Sequence, residues 1–150
     1  MREVELSGGD RRVLVVVVDK GEDAVAAVNA AAQRHTIRGA RVTAVGGFAT
    51  ADLGYFEREK RDYRTIQVRE QVEVLSLLGD IAEHEDKAAL HVHAVLGRRD
   101  GSTVGGHLLR GEVWPTLEVI ISEVGADLAK RIDPETGLAL LAGTTSHRPC

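Results

Sequence analysis

Three histidines carry the chemistry legible in this chain: His91 and His93, two apart in Leu90-His91-Val92-His93-Ala94-Val95-Leu96, and His107, just past Gly105-Gly106. Successive side chains of a strand alternate between faces, so His91 and His93 share one face while Val92 and Ala94 take the other. Arg98-Arg99-Asp100-Gly101 lies between the two groups, and Asp-Gly between apolar stretches is a strong hairpin signal. A fold-back centred on Asp100 sets His107 opposite His93 and beside His91, with facing Cβ atoms roughly 4.5–5.5 Å apart. A lone strand histidine is ordinarily a half-buried side chain with one hydrogen bond. Three imidazoles on one patch of sheet are instead the ligand set of an open metal site, and neutral imidazole suits zinc, copper and nickel. Register decides the matter: a one-residue slip, or a bulge at Gly105-Gly106, would turn His107 away.

Two carboxylates stand in apolar surroundings, Glu73 among Val72, Val74 and Leu75, and Glu118 among Leu117, Val119 and Ile120. Glu73 is either a solvated rim residue or an orienter of a metal-bound imidazole, Glu118 is a second candidate functional carboxylate, and either could be a general base for a metal-bound water. His35 reads as a helix C-terminal residue, His84 as part of a solvated loop, and His147 as part of a polar tail. Gly46-Gly47 lacks the Gly-x-x-Gly or Gly-Lys-Ser/Thr continuation of a phosphate loop and reads as a bend or a close backbone approach.

The elements that must position these groups are mostly strands. Residues 11–18 form a β-branched run with the look of a strand buried on both faces. Residues 23–35 read as an Ala-rich helix with Val25, Val28 and Ala32 facing a sheet, acidic at its start, basic at its end, and stopped by Gly39. Strands follow at 40–45, 51–58 and 63–70. Residues 71–81 give another, with Val72, Val74 and Leu78 on one face and Glu73, Leu75 and Leu77 on the other. After a loop at 82–88 comes the histidine hairpin, then a long strand over 112–122. Pro115 cannot donate to a ladder, so that strand begins at an edge or after a bulge. Residues 125–131 predict a short helical turn, 133–137 a turn, 138–142 a last strand, and 143–150 a polar tail. The chain reads as a single domain over 1–150 with its core in about residues 10–142.

The totals set bounds. With 150 residues, 43% hydrophobic and 28% charged, the chain has the composition of a globular domain; at 3% aromatic its core rests on Val, Leu, Ile and Ala. A net charge of −4 is a poor match to a phosphate backbone. The lone cysteine, Cys150, excludes an intrachain disulfide and a thiolate zinc site. No apolar run suits a membrane span, and residues 1–10 lack a signal-peptide core, so a cytoplasmic location is expected.

Four blocks in order resemble the PPC domain family, the plants and prokaryotes conserved domain. They are Gly21-Glu22-Asp23 before the helix; Val45-Gly46-Gly47-Phe48 with Ala51-Asp52-Leu53-Gly54-Tyr55-Phe56; Glu73-Val74-Leu75-Ser76-Leu77-Leu78-Gly79-Asp80-Ile81; and His91-Val92-His93 with Asp100-Gly101, Gly105-Gly106-His107 and Thr116-Leu117-Glu118-Val119-Ile120. The resemblance implies an α+β fold, a largely antiparallel sheet packed with one main helix, assembled as a homotrimer. It also implies zinc on His91, His93 and His107, and a prokaryotic stand-alone protein of the kind described as DNA-binding. Plant members carry AT-hooks before the domain. This sequence has no Arg-Gly-Arg-Pro segment, and Arg98-Arg99 and His147-Arg148-Pro149 are poor substitutes, so DNA is a weakly supported partner.

Three functions stay open: a trimeric zinc-binding module in regulation or assembly, with DNA as an added partner; a small metalloenzyme using a water on the three-histidine metal with Glu73 or Glu118 as base; and a trimeric scaffold whose histidines bind a small anion. The first is preferred, and the residues alone do not make the chain an enzyme.

Overall fold

A computed structural model describes residues 1–7 and 11–144. His147, Arg148, Pro149 and Cys150 lie outside the described residues. The elements are β1 (Arg2–Ser7), β2 (Arg12–Asp19), α1 (Ala24–Arg34), β3 (Gly39–Glu57), β4 (Asp62–Val68), β5 (Val72–His84), β6 (Lys87–Gly97), β7 (Thr103–Glu123), β8 (Leu128–Ile132) and β9 (Ala139–Thr144). Pairing is antiparallel except for one parallel contact between Glu83 and Ala129. The expected α+β class, a largely antiparallel sheet with one helix, is the class observed.

Two very long strands organise the sheet. β3 pairs with β4, β5 and β7, while β7 pairs with β2, β3 and β6. Because β6 also pairs with β5, strands β3, β5, β6 and β7 close into a ring. Leu53, Leu96, Val113 and Phe48 are fully buried within the core. Helix α1 covers one side of the sheet through Ala24, Ala27, Val28, Ala31 and Ala32. Small residues let its axis lie close to Val16, Val18, Leu117 and Val119 in the same cluster. Asp23 caps the helix by accepting from the Ala26 N–H at 2.9 Å, and its other oxygen accepts from the Gly111 N–H on β7 at 3.1 Å. The helix ends at His35, not at Gly39, which opens β3.

Several sequence expectations shift. β2 is not buried on both faces: Leu14, Val16 and Val18 are buried while Val13, Val15 and Val17 are half-buried, the alternation of a strand with one covered face. In β5 a bulge between Val74 and Ser76 changes the phase, so Leu77 is buried with Val72 and Val74 while Leu78 points outward. The loop expected at 82–88 is a two-residue turn, Glu85-Asp86, both with positive φ as a primed hairpin turn requires. The helical turn expected at 125–131 gives way to strand β8, and residues 2–7 form a further strand, β1. Gly46-Gly47 is the bend expected: a Cβ on Gly46 would stand 2.3 Å from the Thr116 carbonyl oxygen. The β3–β7 register skips opposite this point, which accommodates Pro115. Asp133 closes the predicted turn at 133–137 by accepting from the Thr136 N–H and hydroxyl at 2.9 and 2.7 Å.

Candidate metal centre

The hairpin register is the one the sequence predicts. His93 pairs with His107, Ala94 with Gly106 and Val95 with Gly105, without a bulge at the glycine pair. The side chains of His91, His93 and His107 therefore meet on one face, with ring centroids 5.2, 5.2 and 5.5 Å apart. One nitrogen from each ring lies within 4.8 Å of the other two. His91 and His107 are half-buried and His93 is exposed, so the patch is open on the His93 side.

Neighbouring strands fix the rings. Tyr63 of β4 stacks on His107 with centroids 5.1 Å apart. It can lie there because Gly54 has no side chain, and a Cβ at Gly54 would meet the Tyr63 ring at 2.7 Å. Across the β5–β6 ladder Asp80 pairs with His91, placing its Oδ2 3.5 Å from His91 Nδ1. That is long for a direct hydrogen bond, yet it sets a carboxylate beside the Nδ1 side of the ring, the usual companion of a ligating histidine. Lys130 of β8 reaches the same carboxylate, its Nζ 3.3 Å from Asp80 Oδ1.

The electrostatics favour neutral rings. Burial pushes the His107 pKa down to about 4, reinforced by the charges of His91, His93 and Lys130. Burial also lowers His91, with Lys130 adding to the effect and Asp80 opposing it. Neutral imidazole is the form that binds metals. His107 Nδ1 is buried without a hydrogen-bond partner, and such an orphaned nitrogen is the kind of atom an ion would satisfy. Tetrahedral zinc with Zn–N bonds of 2.0–2.1 Å sets its nitrogens about 3.4 Å apart. The rings would have to turn inward by no more than about 1.4 Å. The residues present therefore fit a three-histidine ion with an open coordination position.

Neither Glu73 nor Glu118 joins this group. Glu73 pairs with Gly97 and lines a separate cleft with Glu70, Arg98 and Arg99. Glu118 pairs with Val45 and Val17 on the exposed face. Within the single chain neither carboxylate lines the histidine cleft. His84, read as a loop residue, ends β5 and lines the histidine cleft, whereas His35 bonds to Glu3 through Nε2 at 2.8 Å. The sequence reading missed Asp80, Tyr63 and Lys130. Continuing the β5–β6 register back from a turn at 85–86 would have found Asp80; nothing in the sequence placed Lys130.

A closed antiparallel sheet backed by one helix, with an open patch of three imidazoles, defines the class. The chain belongs to the Plants and Prokaryotes Conserved (PCC) domain family, whose model matches residues 5–125. Among solved structures it is similar to a metal-containing protein of Archaeoglobus fulgidus, with 30% identity, 94% of this chain and 98% of that chain covered, and a TM-score of 0.81. It is also similar to a plant- and prokaryote-conserved protein of Pyrococcus horikoshii, with 26% identity, coverage of 93% and 99%, and a TM-score of 0.83. A Bacteroides thetaiotaomicron protein provisionally described as DNA-binding shares the fold at 23% identity, coverage of 94% and 97%, and a TM-score of 0.84. No curated protein matches the chain significantly. Among the described residues no helix is long and apolar enough to cross a membrane.

Proposed function

We propose that this chain is a zinc-binding PCC-domain protein that works as a homotrimer, its ion held by His91, His93 and His107. The observation that carries the proposal is the convergence of three imidazole nitrogens within 4.8 Å of one another. The metal-containing Archaeoglobus relative supports it. The trimer draws support from the sheet face opposite α1. There Val45, Leu78, Val95 and Ile120 are exposed, on the same side as the histidines, since Ile120, Thr43, Leu78, His93 and His107 pair in one row across the strands. A regulatory role involving DNA rests on the provisional description of relatives alone. In this chain Arg98, half of the one arginine pair near the hairpin tip, is tied to Glu70 at 3.0 Å.

The test is elemental analysis of protein purified without added metal. Near-stoichiometric zinc is expected, falling sharply in His93→Ala, whose exposed ring can be removed without opening the core. Equal metal in both proteins would refute the site.

A further inference from the structure

Lys130 lies beyond the stretch matched by the family model, which ends at residue 125. Its side chain is only 6% exposed, yet it faces the histidine cleft and not the apolar core. With Leu138, Ala139 and Leu140, contributed by β9 and the residue before it, Lys130 forms one wall of that cleft of about 490 Å³. Phe56, Tyr63, Ala89 and Leu90 form the rest of the apolar lining. A buried ammonium needs a partner to offset its lost hydration, and Asp80 at 3.3 Å is that partner.

The charges of the cleft do not balance once an ion is added. Imidazole ligates as a neutral donor and Lys130 is paired with Asp80, so a divalent cation brings uncompensated positive charge into a half-enclosed, largely apolar space. Asp80 already serves Lys130 and His91, and no other carboxylate lines the cleft among the described residues. An anionic ligand would offset part of that charge. Its other end would meet Leu138, Ala139, Leu140 and Phe56, surfaces that suit a short hydrocarbon chain better than a hydrated polyanion.

We infer that the metal-loaded cleft binds a small organic monocarboxylate, with the carboxylate shared between the ion's open position and the Lys130 ammonium and the apolar end against Leu138. Lys130 is thus a specificity-determining residue. The inference rests on the three-histidine metal reading, and its test separates the two.

Cobalt(II) is loaded into the metal-stripped full chain and its visible absorption recorded during titration with sodium butyrate, acetate and sulfate. Saturable spectral change with butyrate is expected, tighter than with acetate, and none with sulfate at matched ionic strength. Lys130→Met should weaken butyrate roughly tenfold or more, the scale of one charge-assisted hydrogen bond, and Lys130→Arg should restore most of it. Leu138→Ala should weaken butyrate and leave acetate unchanged, which decides the case should Lys130→Met disturb the hairpin. Failure of the wild type to take up cobalt overturns both readings. Cobalt bound without response to butyrate, or with equal response in the Lys130→Met and Leu138→Ala variants, overturns the carboxylate site alone.

Discussion

If the proposed trimer forms through the sheet face opposite the helix, Leu78→Asp should convert it to monomers without unfolding the chain. On the face opposite the helix, Val45, Leu75, Leu78, Val95 and Ile120 retain 55%, 55%, 57%, 42% and 46% of their exposure. Fully burying one such side chain stabilises by about 1.5–3 kcal/mol, so covering the exposed half gives roughly 0.8–1.5 kcal/mol each. Five together supply roughly 4–7 kcal/mol per copy before the costs of association, which are of the same order. The margin is therefore narrow. Replacing Leu78 removes about 1 kcal/mol of this and places a carboxylate in the proposed interface, at a desolvation cost of several kcal/mol per ion. Because Leu78 is exposed in the single chain, the fold itself should tolerate the change. Light scattering at micromolar concentration should give three times the 16.2 kDa chain mass for the wild type and one chain mass for the variant, with matching circular dichroism. A wild type that is monomeric, or a variant that stays trimeric, would show that this face is not the interface.

Three further outcomes follow from the same reasoning. Phe48 is fully buried with its ring against Gly111, so Phe48→Ala should cost about 3–5 kcal/mol and lower the thermal midpoint by roughly 6–20 °C by calorimetry. Arg34, then His35, hold the Glu3 carboxyl below its ordinary value of 4.5, so its contribution is present above pH 4.5 and lost as pH falls through the lowered value; urea titrations should show Glu3→Gln weaker by no more than about 1 kcal/mol at neutral pH and equal to wild type in acid. With a net charge of −4 per chain, the isolated protein should bind A·T-rich duplex no more tightly than about 10⁻⁴–10⁻⁶ M by fluorescence anisotropy, and nanomolar, sequence-selective binding would overturn that charge argument.

The histidine hairpin was legible because its signals are local: period-two alternation, an Asp-Gly turn, and a register that follows from the turn alone. The helix was legible for the same reason, down to the acidic residue that caps it. What failed was non-local or depended on a bulge. The alternation of Gln71 to Ile81 predicts Leu78 on the buried face, and only the extra residue at the Val74–Ser76 bulge reverses it. Glu73 and Glu118 look functional because their neighbours in sequence are apolar, yet both simply occupy the outward positions of half-covered strands. Asp80 faces His91 through a register that follows from a two-residue turn at 85–86, a turn the expected loop at 82–88 hid, whereas Lys130 arrives from β8 and sequence spacing carries no trace of that meeting.

The pairing of β2 with β7 has a consequence for the chain as it leaves the ribosome. Val13 pairs with Ser122 and Val18 with Leu117, so this valine run waits for about a hundred further residues to be made before its inner neighbour exists. At 5–20 residues per second that is roughly 5–20 s. During this interval β1 can cover one edge of β2 as a local hairpin and α1 can cover its buried face, while the other edge stays unpaired. An apolar, β-branched strand with an open edge is the kind of segment that pairs with a neighbour's. Nascent chains of this protein should therefore depend on chaperones, or on slow enough crowding of the polysome, until Glu123 emerges and the sheet can close.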